Sequence, residues 1–298
     1  MNKTKAWIQA FRLRTLPLAF SSILLGGFLA ASSDTFDGVI LALSLLTTLF
    51  LQVLSNLAND YGDSESGVDS EKREGPSRTV QSGLISKEAM KKAMITSSLL
   101  ALISGVSLVI YAFPNDWKLS LTFIAIGIAA IAAAIKYTVG KNPYGYSGFG
   151  DLFVLIFFGY VGVMGSFFLY SGDIVISHLL PATTCGLFSV AVLNVNNIRD
   201  IESDKVSGKY SIPVRLGRNK AVIYHWLILA VAFSCSLIFA YKYSFKNLDW
   251  IFLLIAPLVF MNAHAVYTKK TVAELDPFLK QMALTTLLFV LLFGWALL

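Results

Sequence analysis

A chain of 298 residues with 56% hydrophobic and 14% charged side chains, and a mean hydropathy of +0.67, lies outside the soluble range, where about 25% of residues are charged. Counts of 21 Gly, 8 Pro and 2 Cys exclude collagen, disordered and disulfide-scaffold classes. What remains is a polytopic membrane protein, so its net charge of +6 has to be read loop by loop before a nucleic-acid partner is invoked.

A helix that crosses a bilayer core needs roughly 20 mainly apolar residues. Nine segments meet that need: 16–32, 38–57, 93–113, 119–137, 149–170, 178–195, 221–241, 250–267 and 281–298. They are continuously apolar, whereas the strands of a membrane barrel alternate over about ten residues. The expected fold class is therefore all-α, with nine transmembrane helices. The first segment ends in Leu29-Ala30-Ala31-Ser32, the form of a signal-peptide cleavage site, but eight further spans need no secretory leader and it is read as the first span. No stretch is left for a soluble domain, and residues 1–298 are read as one transmembrane domain.

The arm before span 1 and the loops after spans 2, 4, 6 and 8 carry 21 of the 24 Lys and Arg. The opposite side has only Lys118, Lys242 and Lys246. By the positive-inside rule the N-terminus and the even-numbered loops face the cytoplasm, and the C-terminus lies outside. The basic bias is thereby explained without nucleic acid. Cys185 and Cys235 fall inside spans, where a thiol packs as a small apolar group, and His178, His225 and His264 have no metal-type spacing.

Chemistry concentrates at the ends of spans 2 and 6. The first reads Asn56-Leu57-Ala58-Asn59-Asp60-Tyr61-Gly62-Asp63, with Asp69 further on. If the helix continues, Asn56, Asn59, Asp60 and Asp63 share one face at i, i+3, i+4 and i+7. The second reads Asn196-Asn197-Ile198-Arg199-Asp200 and continues to Asp204. Asn59 and Asp63 match Asn196 and Asp200 at a common offset of 137 residues. The clusters at 56–69 and 196–204 thus read as two motif halves of an internal repeat. Carboxylates so close repel one another unless a cation joins them, and oxygen-only donors favour Mg²⁺, which binds through one or two carboxylates plus water and phosphate oxygens. A solvated acidic helix end is the simpler account of one cluster alone; the second copy weighs against it.

Two such clusters at a membrane face, with apolar helices behind them, suit a lipid diphosphate. Mg²⁺ and basic side chains would stabilise departing diphosphate, and aromatic faces would stabilise an allylic cation. Tyr61, Tyr137, Tyr144 and Tyr146 lie near these loops, although tyrosine is also common at membrane interfaces.

With these clusters in view, the whole chain resembles the UbiA superfamily of intramembrane prenyltransferases, and within it the 1,4-dihydroxy-2-naphthoate polyprenyltransferase (MenA) branch of menaquinone synthesis. The strings that carry the branch resemblance are Arg12-Leu13-Arg14-Thr15-Leu16-Pro17, Asn59-Asp60-Tyr61-Gly62-Asp63, Gly75-Pro76-Ser77-Arg78 and Asn142-Pro143-Tyr144-Gly145-Tyr146-Ser147-Gly148-Phe149-Gly150-Asp151. Asn196-Asn197-Ile198-Arg199-Asp200, Gly208-Lys209 and Pro277-Phe278-Leu279-Lys280-Gln281 complete them. Two positions depart from the pattern. Gly67 stands where the superfamily has a further Asp, moving the last carboxylate to Asp69, and Tyr210-Ser211 stands where the branch has Arg-Thr.

The resemblance implies a helical bundle around a central cavity, multi-pass in the cell membrane, with a cytoplasmic active site capped by the loops after spans 2, 4 and 6. It implies Mg²⁺ or Mn²⁺, polyprenyl diphosphate as donor and 1,4-dihydroxy-2-naphthoate as acceptor, whose carboxylate leaves as CO₂ when its carbon is prenylated. Asn59, Asp60, Asp63, Asp69, Asn196, Asp200 and Asp204 are the expected metal ligands, with Asp63, Asp200 and Asp204 as the catalytic carboxylates. Arg78, Lys141, Arg199 and Lys209 are expected on the diphosphate, and Arg14, Tyr137, Tyr144, Tyr146 and Asp151 about the substrates. Three alternatives stay open: a related enzyme with a 4-hydroxybenzoate, haem or chlorophyll-type acceptor, an ion-coupled transporter, and a structural or lipid-binding membrane protein with no metal dependence. The transporter would carry its acids near the midplane of broken helices rather than at helix ends.

Overall fold

The structure is a computed structural model that describes residues 3–66, 79–243 and 250–298. Among them are nine helices long and apolar enough to cross a membrane: α1 (Lys3–Ala31), α2 (Gly38–Glu65), α3 (Lys87–Ala112), α4 (Trp117–Lys136), α5 (Gly150–Ser171), α6 (Ile176–Arg199), α7 (Arg218–Lys242), α8 (Ile251–Thr268) and α9 (Val272–Leu297). No strand occurs among the described residues. Each helix coincides with one expected span, and the differences lie at the ends.

Three of those ends shape the site. The first helix starts near the N-terminus and is broken at Arg12, whose φ of 47° is left-handed and unusual for a side chain of this size. The second continues past the apolar run to Glu65, carrying its polar residues in helical register. The ninth begins before the apolar run because Thr271 and Glu274 form a capping box: Thr271 Oγ1 accepts from the Glu274 N–H, and the Glu274 carboxylate accepts from the Thr271 N–H. This extension brings Asp276 and Pro277 into the bundle.

The core is built around α6. Gly159 on α5 and Gly186 on α6 let the two backbones meet, since a Cβ at Gly159 would stand 2.8 Å from the Ala182 carbonyl oxygen. Phe188, Phe252, Phe289 and Phe293 are fully buried where α6, α8 and α9 converge. A polar network crosses the same helices. Asn194 Nδ2 donates to His225 Nδ1 at 3.2 Å, which leaves Nε2–H to donate to Asn262 Oδ1 at 3.0 Å; Asn262 Nδ2 then donates to the Phe278 carbonyl at 3.0 Å. His225, Asn194 and Asn262 are fully buried, so each bond is protected from water and the start of α9 is held against α6 through α7 and α8.

Eleven residues of α5, Leu155–Gly165, are wound as a π-helix. Such stretches are rare and are found mostly at functional sites. Phe157, Tyr160 and Met164 in this stretch face a cavity of about 1190 Å³ that α1 to α6 and α9 enclose. The cavity runs from the polar ends of α2 and α6 to Leu108 and Leu169 near the opposite ends of α3 and α5.

Candidate active site

At the mouth of the cavity, α2 presents Asn59, Asp60 and Asp63, and α6 presents Asn196 and Arg199. The face expected for Asn56, Asn59, Asp60 and Asp63 is divided. Asn56 Nδ2 donates to the Phe11 carbonyl at 2.9 Å and to Thr15 Oγ1 at 3.0 Å, holding the kink of α1 rather than a ligand.

The remaining residues of the first cluster are tied in place by neighbouring loops. Asp60 is buried; its Oδ2 accepts from Thr79 Oγ1 at 2.5 Å and from the Thr79 N–H at 3.2 Å. Its Oδ1 is buried without a hydrogen-bond partner among the described residues. Asp63 accepts a hydrogen bond from the Tyr146 hydroxyl. Thr138 Oγ1 donates to the Ala58 carbonyl and to Asn59 Oδ1, at 2.9 and 3.2 Å. This approach depends on Gly62, where a Cβ would stand 2.5 Å from the Thr138 carbonyl oxygen.

In the second cluster the two buried acids, Asp200 and Asp204, are each matched by a cation. Arg199 Nε and Nη2 each donate to the Asp200 carboxylate at 2.7 Å, and Nη2 also reaches Asn196 Oδ1 at 2.9 Å. Lys209 Nζ lies 2.9 Å from Asp204 Oδ2. Asp200 and Asp204 are buried behind the cavity surface, while their partners Arg199 and Lys209 are on it. Buried carboxylates need such partners, since an unpaired charge away from water is costly.

An aromatic wall adjoins these groups. Tyr144 stacks on Phe153 with ring centroids 4.0 Å apart and meets Tyr137 edge to face at 5.4 Å. Its hydroxyl donates to the Ala133 carbonyl at 2.9 Å. Burial pushes the phenol pKa of Tyr137 above its usual range, with Asp151 and Asp204 adding to the effect. Burial does the same to Tyr144, so both rings stay neutral.

The other expected site residues fall elsewhere. Tyr146 reaches Asp63 but does not line the cavity. Asp151 is buried off the cavity and accepts from the Tyr224 hydroxyl at 2.9 Å. Lys141 is exposed and off the cavity wall, and Asp69 and Arg78 lie outside the described residues. Arg14 is on the wall.

Sequence reasoning missed Asp276, whose Oδ1 accepts from Arg199 Nη1 at 2.6 Å. Its only sequence signal is an acid at the start of the last apolar segment. At position 210, where the expected Arg is missing, the Tyr210 N–H donates to the Tyr146 carbonyl at 2.8 Å; Arg215 Nη2 donates to the Ser147 carbonyl, also at 2.8 Å. The loops after α4 and α6 are thereby joined over the end of the bundle.

The sequence matches the UbiA prenyltransferase family over residues 19–293. The chain belongs to this family. It is 44% identical to the 1,4-dihydroxy-2-naphthoate octaprenyltransferase of Haemophilus influenzae, covering 100% of this chain and 97% of that one. Against the Escherichia coli protein of the same name the identity is 43%, over 98% and 96% of the two chains. The fold agrees with solved UbiA structures. An apo UbiA homolog from Aeropyrum pernix K1 superposes with a TM-score of 0.68 at 16% identity, over 97% of this chain and 96% of that one. A homolog from Archaeoglobus fulgidus bound to GPP and Mg²⁺ gives 0.60 at 16%, over 96% and 98%.

Proposed function

We propose that this UbiA-family protein transfers a polyprenyl group from polyprenyl diphosphate to 1,4-dihydroxy-2-naphthoate, releasing diphosphate and CO₂ and forming demethylmenaquinol. The observation that carries this reading is the full-length identity of 44% and 43% to two proteins of that name. The geometry supports it, because carboxylates, cations and aromatic faces meet at the mouth of one long apolar cavity.

The donor set suits a hard dication. Asn59, Asp60, Asp63, Asn196, Asp200 and Asp204 offer only oxygens, and Asp60 Oδ1 is a buried carboxylate oxygen without a partner among the described residues. These residues would hold Mg²⁺, or Mn²⁺ in its place, Asp200 and Asp204 exchanging Arg199 and Lys209 for the ion, with Asp69 as a further candidate. When bound, the ion supplies positive charge to the departing diphosphate. Lys209 and Arg199 line the same mouth and bind the remaining phosphate charge, joined by Arg78 from the loop after α2. Neutral Tyr137 and Tyr144 line the cavity beside these groups, where an aromatic face would stabilise the allylic cation. The apolar wall below them excludes water, which would otherwise capture that cation.

The two clusters act as halves of one diphosphate site in a single domain spanning residues 1–298. That site faces the cytoplasm from the cell membrane, with the N-terminus inside and the C-terminus outside, in accord with the cation distribution.

The test is to incubate purified protein with Mg²⁺, a polyprenyl diphosphate and a panel of aromatic acids, and to identify the product by mass. Prenylated naphthol with an equal amount of CO₂ released from carboxyl-labelled 1,4-dihydroxy-2-naphthoate is the expected result. A product that retains the carboxylate, or a preference for 4-hydroxybenzoate, would move the protein to another acceptor.

A further inference from the structure

The mouth of the cavity has a second wall, built from α1 and α9, that meets the end of α6 at Arg199. Arg14, Asp276 and Lys280 line it. Asp276 and Lys280 are one helical turn apart on α9 and share a face.

The two oxygens of Asp276 are used differently. Oδ1 is anchored by Arg199 Nη1 at 2.6 Å, and Arg199 is itself buried and held by Asp200 and Asn196. Oδ2 lies 4.0 Å from Arg14 Nη1, too far for a hydrogen bond, and has no closer partner among the described residues. Side-chain exposure is 32% for Asp276 and 56% for Arg14, so both are open to the cavity mouth. The start of α9 is also fixed by the bond from Asn262 to the Phe278 carbonyl. A rigid acceptor oxygen thus stands beside a cation, with neither satisfied by the other.

We propose that Asp276 Oδ2 and Arg14 together recognise the acceptor through a hydroxyl and a carboxylate on adjacent ring carbons, Oδ2 taking the hydroxyl and Arg14 the carboxylate. The proposal rests on the naphthoate reading above, and 1,4-dihydroxy-2-naphthoate has this adjacent pair. 4-Hydroxybenzoate, with its groups on opposite sides of the ring, cannot span both partners. Lys280 adds charge on the carboxylate side.

The same contact makes Asp276 the catalytic base. As the carboxylate-bearing ring carbon bonds to C1 of the prenyl chain, the C1–O bond to diphosphate breaks. The hydroxyl O–H pair closes to a neighbouring C=O, and the proton passes to Asp276 Oδ2. The β-keto acid anion so formed loses CO₂; the electrons of the broken C–C bond restore the aromatic ring, and its oxygen takes the proton back from Asp276. No oxidant or reductant is needed, and the carboxylate of Asp276 is regenerated.

The test combines residue changes with acceptor changes, using the full chain in detergent with Mg²⁺ and a polyprenyl diphosphate. The acceptors are 1,4-dihydroxy-2-naphthoate, 1-hydroxy-2-naphthoate, 4-hydroxy-2-naphthoate (which lacks the adjacent hydroxyl) and 1,4-dihydroxynaphthalene (which lacks the carboxylate). In the parent protein, losing the adjacent hydroxyl should lower kcat/KM at least about 100-fold, as in sites built to bond a substrate hydroxyl. In Asp276→Asn the amide oxygen stays on Arg199 and an NH₂ faces the hydroxyl. The 1-hydroxy acids should then lose about 100-fold, the gap to 4-hydroxy-2-naphthoate should close to a few-fold, and the KM for donor should hold.

Arg14→Gln, at a position 56% exposed, should likewise close the gap between 1,4-dihydroxy-2-naphthoate and 1,4-dihydroxynaphthalene. If Asp276 merely props up Arg199, all acceptors would lose equally and the donor KM would rise. That pattern, or an Arg14→Gln variant that keeps the parent's preference, overturns the inference while leaving the naphthoate reading intact. A parent protein that prenylates none of the naphthoates overturns both.

Discussion

Asn56, on α2, donates through Nδ2 to the carbonyl of Phe11 at 2.9 Å, 45 residues earlier in the chain. The same nitrogen donates to Thr15 Oγ1, which also accepts from Gln52 Nε2 at 3.1 Å and itself donates to the Arg12 carbonyl at 2.9 Å. These bonds bracket Arg12 and hold its left-handed backbone, so the turn that carries Arg12 and Arg14 depends on a helix it does not belong to.

Removing that hold should be felt at a distance. Asn56→Ala takes this donor from the Phe11 carbonyl and leaves Thr15 held by Gln52 and Arg12 alone, at a cost of about 1–3 kcal/mol, and the melting temperature in detergent should fall. Acceptor KM should rise more than donor KM, because Arg14 shifts while Asp60 and Asp63 stay on their own supports. Unchanged KM values in a destabilised Asn56→Ala protein would show that the kink serves stability alone.

Asn56 also marks where the sequence stops being legible. Nine spans could be read because a bilayer leaves so few ways to satisfy a backbone, and both acidic clusters could be read because charge at a helix end has to be explained. Helical periodicity put Asn56 on the ligand face, yet its carboxamide is taken by Phe11 and Thr15 on α1, a contact no local pattern encodes. Asp276 was hidden because its meaning comes from Arg199, 77 residues away. The π-wound stretch of α5 left no mark either, since its apolar residues read equally well as an α-helix.

Gly62 offers a sharper packing test. In a helix interior Ala normally gains about 1 kcal/mol over Gly, but here the new Cβ would stand 2.5 Å from the Thr138 carbonyl oxygen. Backbone cannot yield cheaply, so overpacking at about 1–3 kcal/mol should win and Gly62→Ala should melt lower. Activity should fall as well, because Thr138 holds Asn59. Gly127→Ala is the control, since nothing lies within 4 Å of a Cβ there and stability should not drop.

If the two acidic clusters hold one diphosphate, Asp63→Asn and Asp200→Asn should each lower kcat/KM by orders of magnitude. The double variant should be little worse than either, as expected of groups that act as a unit. Additive losses would mean two independent sites. Asp200→Asn also leaves Arg199 with one charge partner fewer, so its melting curve should be recorded beside the rate.

Metal removal tests the oxygen-only donor set directly. Activity should vanish in EDTA and return with Mg²⁺ or Mn²⁺, while Zn²⁺, which favours nitrogen and sulfur ligands, should restore less. Full turnover in chelator would sink the mechanism.

The last prediction concerns which way the bundle faces. Of the 24 Lys and Arg, 21 belong to the N-terminal arm or the loops after even-numbered spans, and short loops rich in Lys and Arg are retained on the cytoplasmic side during insertion. Ser82 lies in the loop between α2 and α3 and Asp173 in the loop between α5 and α6, and both positions are exposed. With Cys185 and Cys235 first replaced by Ala, a cysteine at Ser82 should react with a membrane-impermeant maleimide only in inverted vesicles. One at Asp173 should react only in intact cells or right-side-out vesicles. The two positions are needed together, because a leaky preparation labels both and a buried site labels neither. Reversed labelling would put the carboxylates of α2 and α6 on the outer face, away from a cytoplasmic supply of diphosphate substrate, and the reading of the loops would have to be abandoned.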